Sequence, residues 1–295
     1  METESLIDNV FSRNIGLLTR DDQRRLLSSR VAVAGAGGVG GLHLLTLARL
    51  GIGRFTIADP DIFEPVNINR QYGAFLSTMK RNKAEVLAEM VKDINSTAEV
   101  SVFSDGVSSE SIESFLDGVD VFVDGIDFFE IEIRRLLFRR CREKGIYALT
   151  AAPLGFGATL QTFAPNGMSF DDYFGVDDSM NYHEKIAAFA AGLAPNPWHI
   201  EYMDLSKVSF IKKTGPAVSP AIALASSLIA TETVKILTGR GEIRCVPCYL
   251  QFDMMRGKFR KGKVIMGGKN PMQRFKKAII LKKVLAATNQ KGSKT

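Results

Sequence analysis

With 295 residues, 45% of them apolar, the chain is long enough to bury one large core or a core plus an appendage. Its 38 Lys and Arg against 32 Asp and Glu give a net +6, and three cysteines leave no disulfide framework, which suits a reducing compartment. Met1-Glu-Thr-Glu-Ser carries acids rather than a basic leader, and no apolar run is expected to reach membrane-spanning length, so a soluble, cytoplasmic enzyme without a transmembrane segment is expected.

In chain order, the first strong element is Arg30–Ala34, an apolar run bounded by glycine that reads as a buried strand. Gly35-Ala-Gly37-Gly38-Val-Gly40 follows, then 41–50 with the apolar spacing of a helix, ended by Gly51. Strand, glycine turn and helix form the context in which G-x-G-x-x-G is credible: the glycines let the backbone approach a phosphate, and the helix start offers free N–H groups. A second strand, Arg54–Ala58, delivers Asp59 about 20 residues past the loop, where a carboxylate can bind ribose hydroxyls. To this point an NAD dehydrogenase would serve as well.

The charges that follow point elsewhere. Asp59-Pro-Asp61 leads to Asn67-Ile-Asn-Arg70-Gln71, and Lys83 opens a helix over 83–91. An enzyme that cuts between the α- and β-phosphates needs such cations, because charge builds on the leaving pyrophosphate. Asp127 stands just beyond the apolar strand 119–124, in the crevice where open α/β sheets bind ligands, and suits a Mg²⁺ ion held with phosphate oxygens and water. With Glu99–Phe103 and 146–152 as further strands and helices between, the first half reads as a parallel, doubly wound sheet. After Pro153 the pattern changes: 155–163 reads as a strand leaving the nucleotide half, and 165–213 is a long segment with one helix at 183–192. A helix over 221–237 follows, and the overlapping stretch 217–229, the longest weakly polar one, reads as a buried helix.

This ordered set resembles the E1-like activating enzymes of the ThiF/MoeB/HesA family, which adenylate a carboxyl group with ATP. The resemblance runs from about residue 10 to 253 and includes Phe11-Ser-Arg13-Asn, the glycine loop, D-x-D, N-x-x-R-Q, the lysine, the strand-end aspartate and Thr214-Gly215-Pro216. It implies an α/β, Rossmann-like, mostly parallel sheet with an antiparallel C-terminal extension. It implies ATP and Mg²⁺ as cofactors, with Gly35, Gly37, Gly38 and Gly40 holding phosphate and adenosine, Asp59 the ribose, and Asn67 and Gln71 in support. Arg70 and Lys83 would take the phosphates, Asp127 the Mg²⁺, and Arg13 would reach across a homodimer to the partner's ATP. The region 165–213 corresponds to the family's substrate-facing crossover.

Three departures narrow the reading. Structural zinc in the family uses two C-x-x-C pairs; here Cys245-Val-Pro-Cys248 stands alone, so no structural zinc is expected. Members that form a thioester keep a cysteine before the G-P turn, and residues 198–213 contain none; Cys141 lies in an amphipathic helix, 131–144, and reads as a buried hydrophobe. The family's Asn after the strand-end Asp is Phe128, and its following arginine is displaced, with Arg134 and Arg135 the nearest substitutes.

Charge divides the chain at 253. All 32 acids precede Met254, and 13 of the 38 cations follow Asp253, so residues 1–253 carry −7 and 254–295 carry +13. Within this basic tail, Met272, Phe275, Ile279, Val284 and Leu285 interleave with Arg274, Lys276, Lys277, Lys282 and Lys283 as in an amphipathic helix, able to dock on the acidic body or to bind RNA, anionic lipid or an acidic protein. The favoured expectation is an ATP-dependent adenylyltransferase that activates a carboxylate, such as the C-terminus of a ubiquitin-like protein or peptide, and holds no thioester. The alternatives are an enzyme like tRNA threonylcarbamoyladenosine dehydratase, and an inactive E1-like scaffold or NAD-binding protein.

Overall fold

The computed structural model describes residues 2–210 and 212–292, with side chains between Thr3 and Leu285; residues 293–295, at the end of the basic tail, lie outside the described residues. Two short helices, α1 (Glu2–Asp8) and α2 (Arg20–Ser28), precede the first strand. A capping box at Thr19 and Asp22 starts α2 by satisfying two otherwise unpaired N–H groups. Then follow β1 (Arg30–Ala34), α3 (Gly38–Arg49), β2 (Arg54–Ala58), α4 (Lys83–Ile94), β3 (Glu99–Phe103), the one-turn α5 (Ile112–Phe115), β4 (Val121–Asp124), α6 (Ile131–Glu143) and β5 (Tyr147–Leu154). The first three strands have the bounds read from the sequence, because glycine or polar residues stop each apolar run.

Sheet order is β3-β2-β1-β4-β5, all parallel, and the remaining strands add antiparallel: β6 (Gly157–Phe163), β7 (Cys248–Asp253) and β8 (Lys258–Lys263). The chain leaves β1 toward β2 and β3, then returns to place β4 on the other side of β1, which makes the β1/β4 boundary the switch point of the sheet. Ala34 is level with both Ala58 and Asp124, so Gly35, Asp59 and Gly125 emerge side by side.

Two apolar cores fill the faces. One gathers α3, α4 and α9 (Ser219–Thr238) against β1, β2 and β4–β6; the other gathers α5, α6, α7 (Phe170–Phe174) and α8 (Tyr182–Leu193). The second is aromatic, with Phe138, Phe163, Phe170, Phe174 and Phe189 ring to ring at centroid separations of 4.5–6.2 Å. Thus α7 and α8, both within the predicted crossover segment, contribute to the core. Cys141 is fully buried in this core, where burial pushes its thiol up, away from reactivity.

Two expectations need correction. α9 is long and apolar enough to cross a bilayer, although no run was expected to reach that length. Its packing against α3, β5 and β6 makes it a core helix, and it carries the buried Glu232 in an ion pair with Lys235. The division drawn after Asp253 falls inside a hairpin: β8 pairs with β7 over six residue pairs, and α10 (Pro271–Gly292) packs on α8.

Candidate active site

At the switch point lies a cleft of about 640 Å³, within the usual range for a ligand pocket. The glycines divide into two kinds. A Cβ on Gly40 would stand 1.7 Å from the Gly35 carbonyl oxygen, one on Gly35 2.2 Å from that of Gly125, and one on Gly125 2.4 Å from that of Gly35. These three interlock the β1–α3 and β4–α6 turns backbone to backbone, and Gly35 also needs its φ of +85°. Gly37 and Gly38 face the cleft, and a Cβ there would make at worst a tight contact with Gln71 or Ile222. Their bareness leaves room for something outside the chain. α3 starts behind them with no side-chain cap and no acid in its first turn, so free N–H groups and the positive dipole end point into the cleft.

Asp59 is buried at the end of β2. Its Oδ2 accepts from the Ala36 N–H at 2.6 Å and its Oδ1 from that of Asp61 at 2.8 Å, which fixes the glycine turn. Burial raises its pKa, with Lys83 acting in the opposite sense. Lys83 stands at the first position of α4, where the helix dipole disfavours a cation, and is almost wholly buried; its Nζ donates to Asp61 Oδ2 at 2.9 Å. The ion pair with Asp61 offsets the opposition of the helix start. Arg70 has no acid partner among the described residues; its Nη1 donates to the Val66 carbonyl and Asn69 Oδ1, both at 3.0 Å. Gln71 is buried against Gly37 with its Oε1 unpaired.

Asp127 sits in the lining, exposed, with Oδ1 accepting from the Phe129 N–H at 2.9 Å. The residue before α6 is Glu130, so Asp127 shapes the turn and does not cap the helix. Among the described residues no cluster of three metal-ligating side chains forms. One carboxylate suffices for Mg²⁺ when phosphates and water complete the shell, so the donor set at Asp127 fits that ion.

Other predicted residues lie elsewhere. Asn67 is buried outside the lining, where its Oδ1 accepts from the Glu64 N–H and closes a short turn. Arg13 is exposed and outside the cleft. Arg134 and Arg135, the candidate substitutes for the displaced arginine, do not enter the cleft either. Arg134 Nε donates to Asp124 Oδ2 at 2.9 Å, its Nη2 to the Ile126 carbonyl, and its guanidinium lies over the Phe189 ring. Arg135 pairs with Asp171, Asp178 and Glu132. Both brace α6 and its neighbours.

The structure adds residues the sequence did not single out. Gly125 carried a signal, a glycine directly after a buried strand end, as at Gly35. Lys213 carried none: it arrives from the end of the long crossover, in a left-handed backbone conformation (φ 51°), and its Nζ donates to Glu130 Oε1 at 2.7 Å beside the Tyr182 ring. An apolar wall of Ile126, Phe128, Ile133 and Ile222 completes the lining.

Comparison with known proteins gives the family. The chain is 37% identical over 153 residues to the tRNA threonylcarbamoyladenosine dehydratase of Haemophilus influenzae, covering 50% of this chain and 58% of that protein. It is 26% identical over 157 residues to the sulfur carrier protein ThiS adenylyltransferase of Escherichia coli, covering 52% and 62%. The chain thus spans less than two thirds of the length of these curated relatives. The solved structure of Escherichia coli MccB with ATP superposes with a TM-score of 0.66 at 19% identity, over 90% of this chain and 73% of that one, and so shares the fold. The ThiF family profile matches residues 11–272, and the chain belongs to the ThiF family.

Proposed function

We propose that the protein is an ATP-dependent adenylyltransferase that activates a carboxylate. The observation that carries this reading is the meeting of Arg70 and Lys83 with the bare edge of Gly37 and Gly38 in one cleft. ATP fits that edge: the α3 N–H groups would hold phosphate, and Asp59 retains lone pairs for a ribose hydroxyl. Mg²⁺, when bound, would neutralise phosphate charge beside Asp127. The substrate carboxylate attacks the α-phosphorus, the bond to the β-phosphate oxygen breaks, and pyrophosphate leaves. Lys83 and Arg70 stabilise its growing charge; Arg70 is free to swing because only neutral groups hold it. Arg13 reaches a phosphate only if a second copy of the chain delivers it, so a homodimer belongs to this reading. The acyl substrate is a C-terminal carboxylate of a ubiquitin-like protein or peptide. With no cysteine between 198 and 213, the acyl-adenylate passes directly to its acceptor.

Pyrophosphate exchange with candidate carboxylates tests this. Arg70→Ala and Lys83→Ala should each lower exchange by about 10²–10³-fold; exchange indifferent to Arg70→Ala would remove the phosphate clamp from the mechanism. Mixing Arg13→Ala with Arg70→Ala protein should restore activity that neither has alone, since one mixed site holds both arginines. Failure to complement, with both variants folded, would exclude the arginine in trans. A thermal shift by NAD and none by ATP with Mg²⁺ would defeat the whole assignment.

A second reading keeps the adenylation and makes a tRNA-bound nucleoside the substrate. It is favoured by the likeness to the Haemophilus dehydratase over half of the chain. Binding of tRNA that weakens steeply with salt, together with exchange that requires tRNA, would select it.

A further inference from the structure

Residues 254–285 contain eleven Lys and Arg and no acid. They also leave large apolar side chains in water. On α10, Gln273 and Val284 are buried against the body, with Ile280 between them. A second side, about 125° round the helix, shows another stripe at helical spacing: Met272, Phe275 and Ile279, exposed to 61%, 63% and 43%. Ile265 and Met266, likewise exposed, adjoin its start, because Asn270 ties the two together: its Nδ2 donates to the Ile265 carbonyl and its Oδ1 accepts from the Met272 N–H. Lys269, Arg274, Lys282 and Lys283 are exposed around this stripe, whereas Lys276 turns inward and donates to the Pro195 carbonyl.

We propose that this face of α10 is a docking surface for an anionic lipid bilayer. The helix has one apolar side for the protein and another that no described residue covers. A contiguous apolar patch rimmed by cations gains from an environment that offers hydrocarbon and negative charge together, and the headgroup boundary of an anionic bilayer offers both. A second copy would bring +13 against +13. Single-stranded nucleic acid would draw on aromatic stacking, but four of the five exposed apolar residues here are aliphatic. The body, residues 1–253 at −7, is repelled by the same surface, so the charge division also orients the molecule with α10 down.

Flotation of the full chain with vesicles of phosphatidylcholine, with and without added phosphatidylserine, tests the proposal. The protein should float only with the anionic vesicles and be released by salt. The triple variant Met272→Ser, Phe275→Ser, Ile279→Ser should weaken binding at least about tenfold at an unchanged thermal midpoint. Phe275→Trp in a Trp198→Phe background should show blue-shifted emission on the same vesicles, a readout of insertion that needs no loss of binding. No flotation with anionic vesicles overturns the proposal. So does flotation in which the Phe275→Trp emission stays unshifted and the triple variant binds like its parent. In the latter case the cations act alone, as they would toward RNA or an acidic protein.

Discussion

His43 shows what burial alone does to a side chain. It lies fully buried in α3 with neither ring nitrogen hydrogen-bonded, and desolvation lowers its pKa to about 3. Its pKa of 6.5 when unfolded is higher, so the unfolded state binds the extra proton between these values. The stability is therefore intact above about pH 6.5 and lost as pH falls toward 3, by about 2 kcal/mol between pH 7 and pH 5. His43→Leu should raise stability by about 1–3 kcal/mol at neutral pH and flatten this loss in urea titrations; an equally steep acid loss in the variant would assign it to another group. At this scale the sequence revealed residue types better than roles. Asp59, Arg70, Lys83 and Asp127 do reach one cleft, because two strand ends, one helix start and the turn after Asn67 place them there. Asn67 does not, since a short polar side chain near a turn is as able to close that turn as to meet a ligand.

Between elements, the pair Arg134–Asp124 joins α6 to β4 with both side chains almost fully buried, and Arg134 also holds the Ile126 carbonyl. Arg134→Leu strands a buried carboxylate and should cost about 3–5 kcal/mol. It also frees the turn that carries Asp127, so exchange activity should fall with stability. Adding Asp124→Asn should recover part of the stability by removing the stranded charge. If Arg134→Leu melts like the parent, the pair does not hold the turn. Legibility among the elements followed apolar patterning. β1 and β2 were readable from buried apolar runs with hard stops, and β3, an exposed edge, from the alternation of Glu99, Val100, Ser101 and Val102. β8, Lys-Phe-Arg-Lys-Gly-Lys, was not: as a sheet edge it is largely solvated on both faces, so no alternation marks it, and its charges are those with which edge strands avoid further pairing. The aromatic core formed by α7 and α8 was hidden because the segment was read by its position in a family.

The whole molecule treats its basic C-terminal region as part of the body. Removing everything after Asp253 would bare the β7 edge and the face of α8 under α10. The 1–253 chain should therefore have a lower thermal midpoint and associate in sedimentation; a monodisperse product with the parental midpoint would make the region dispensable. Point substitutions, not truncation, are thus the way to separate its surface from its structural duty. The interlock of Gly35, Gly40 and Gly125 reaches equally far. Three backbones in contact leave the floor of the cleft no slack, so neither turn can shift without the other. Under the proposed function, any opening and closing would then fall to the end of the crossover, where Lys213 is held to Glu130 by one solvent-exposed ion pair. On that reading nucleotide affinity would rest on the interlocked turns and turnover on the crossover, so the pace of the reaction would be open to change while the hold on the nucleotide stays constant.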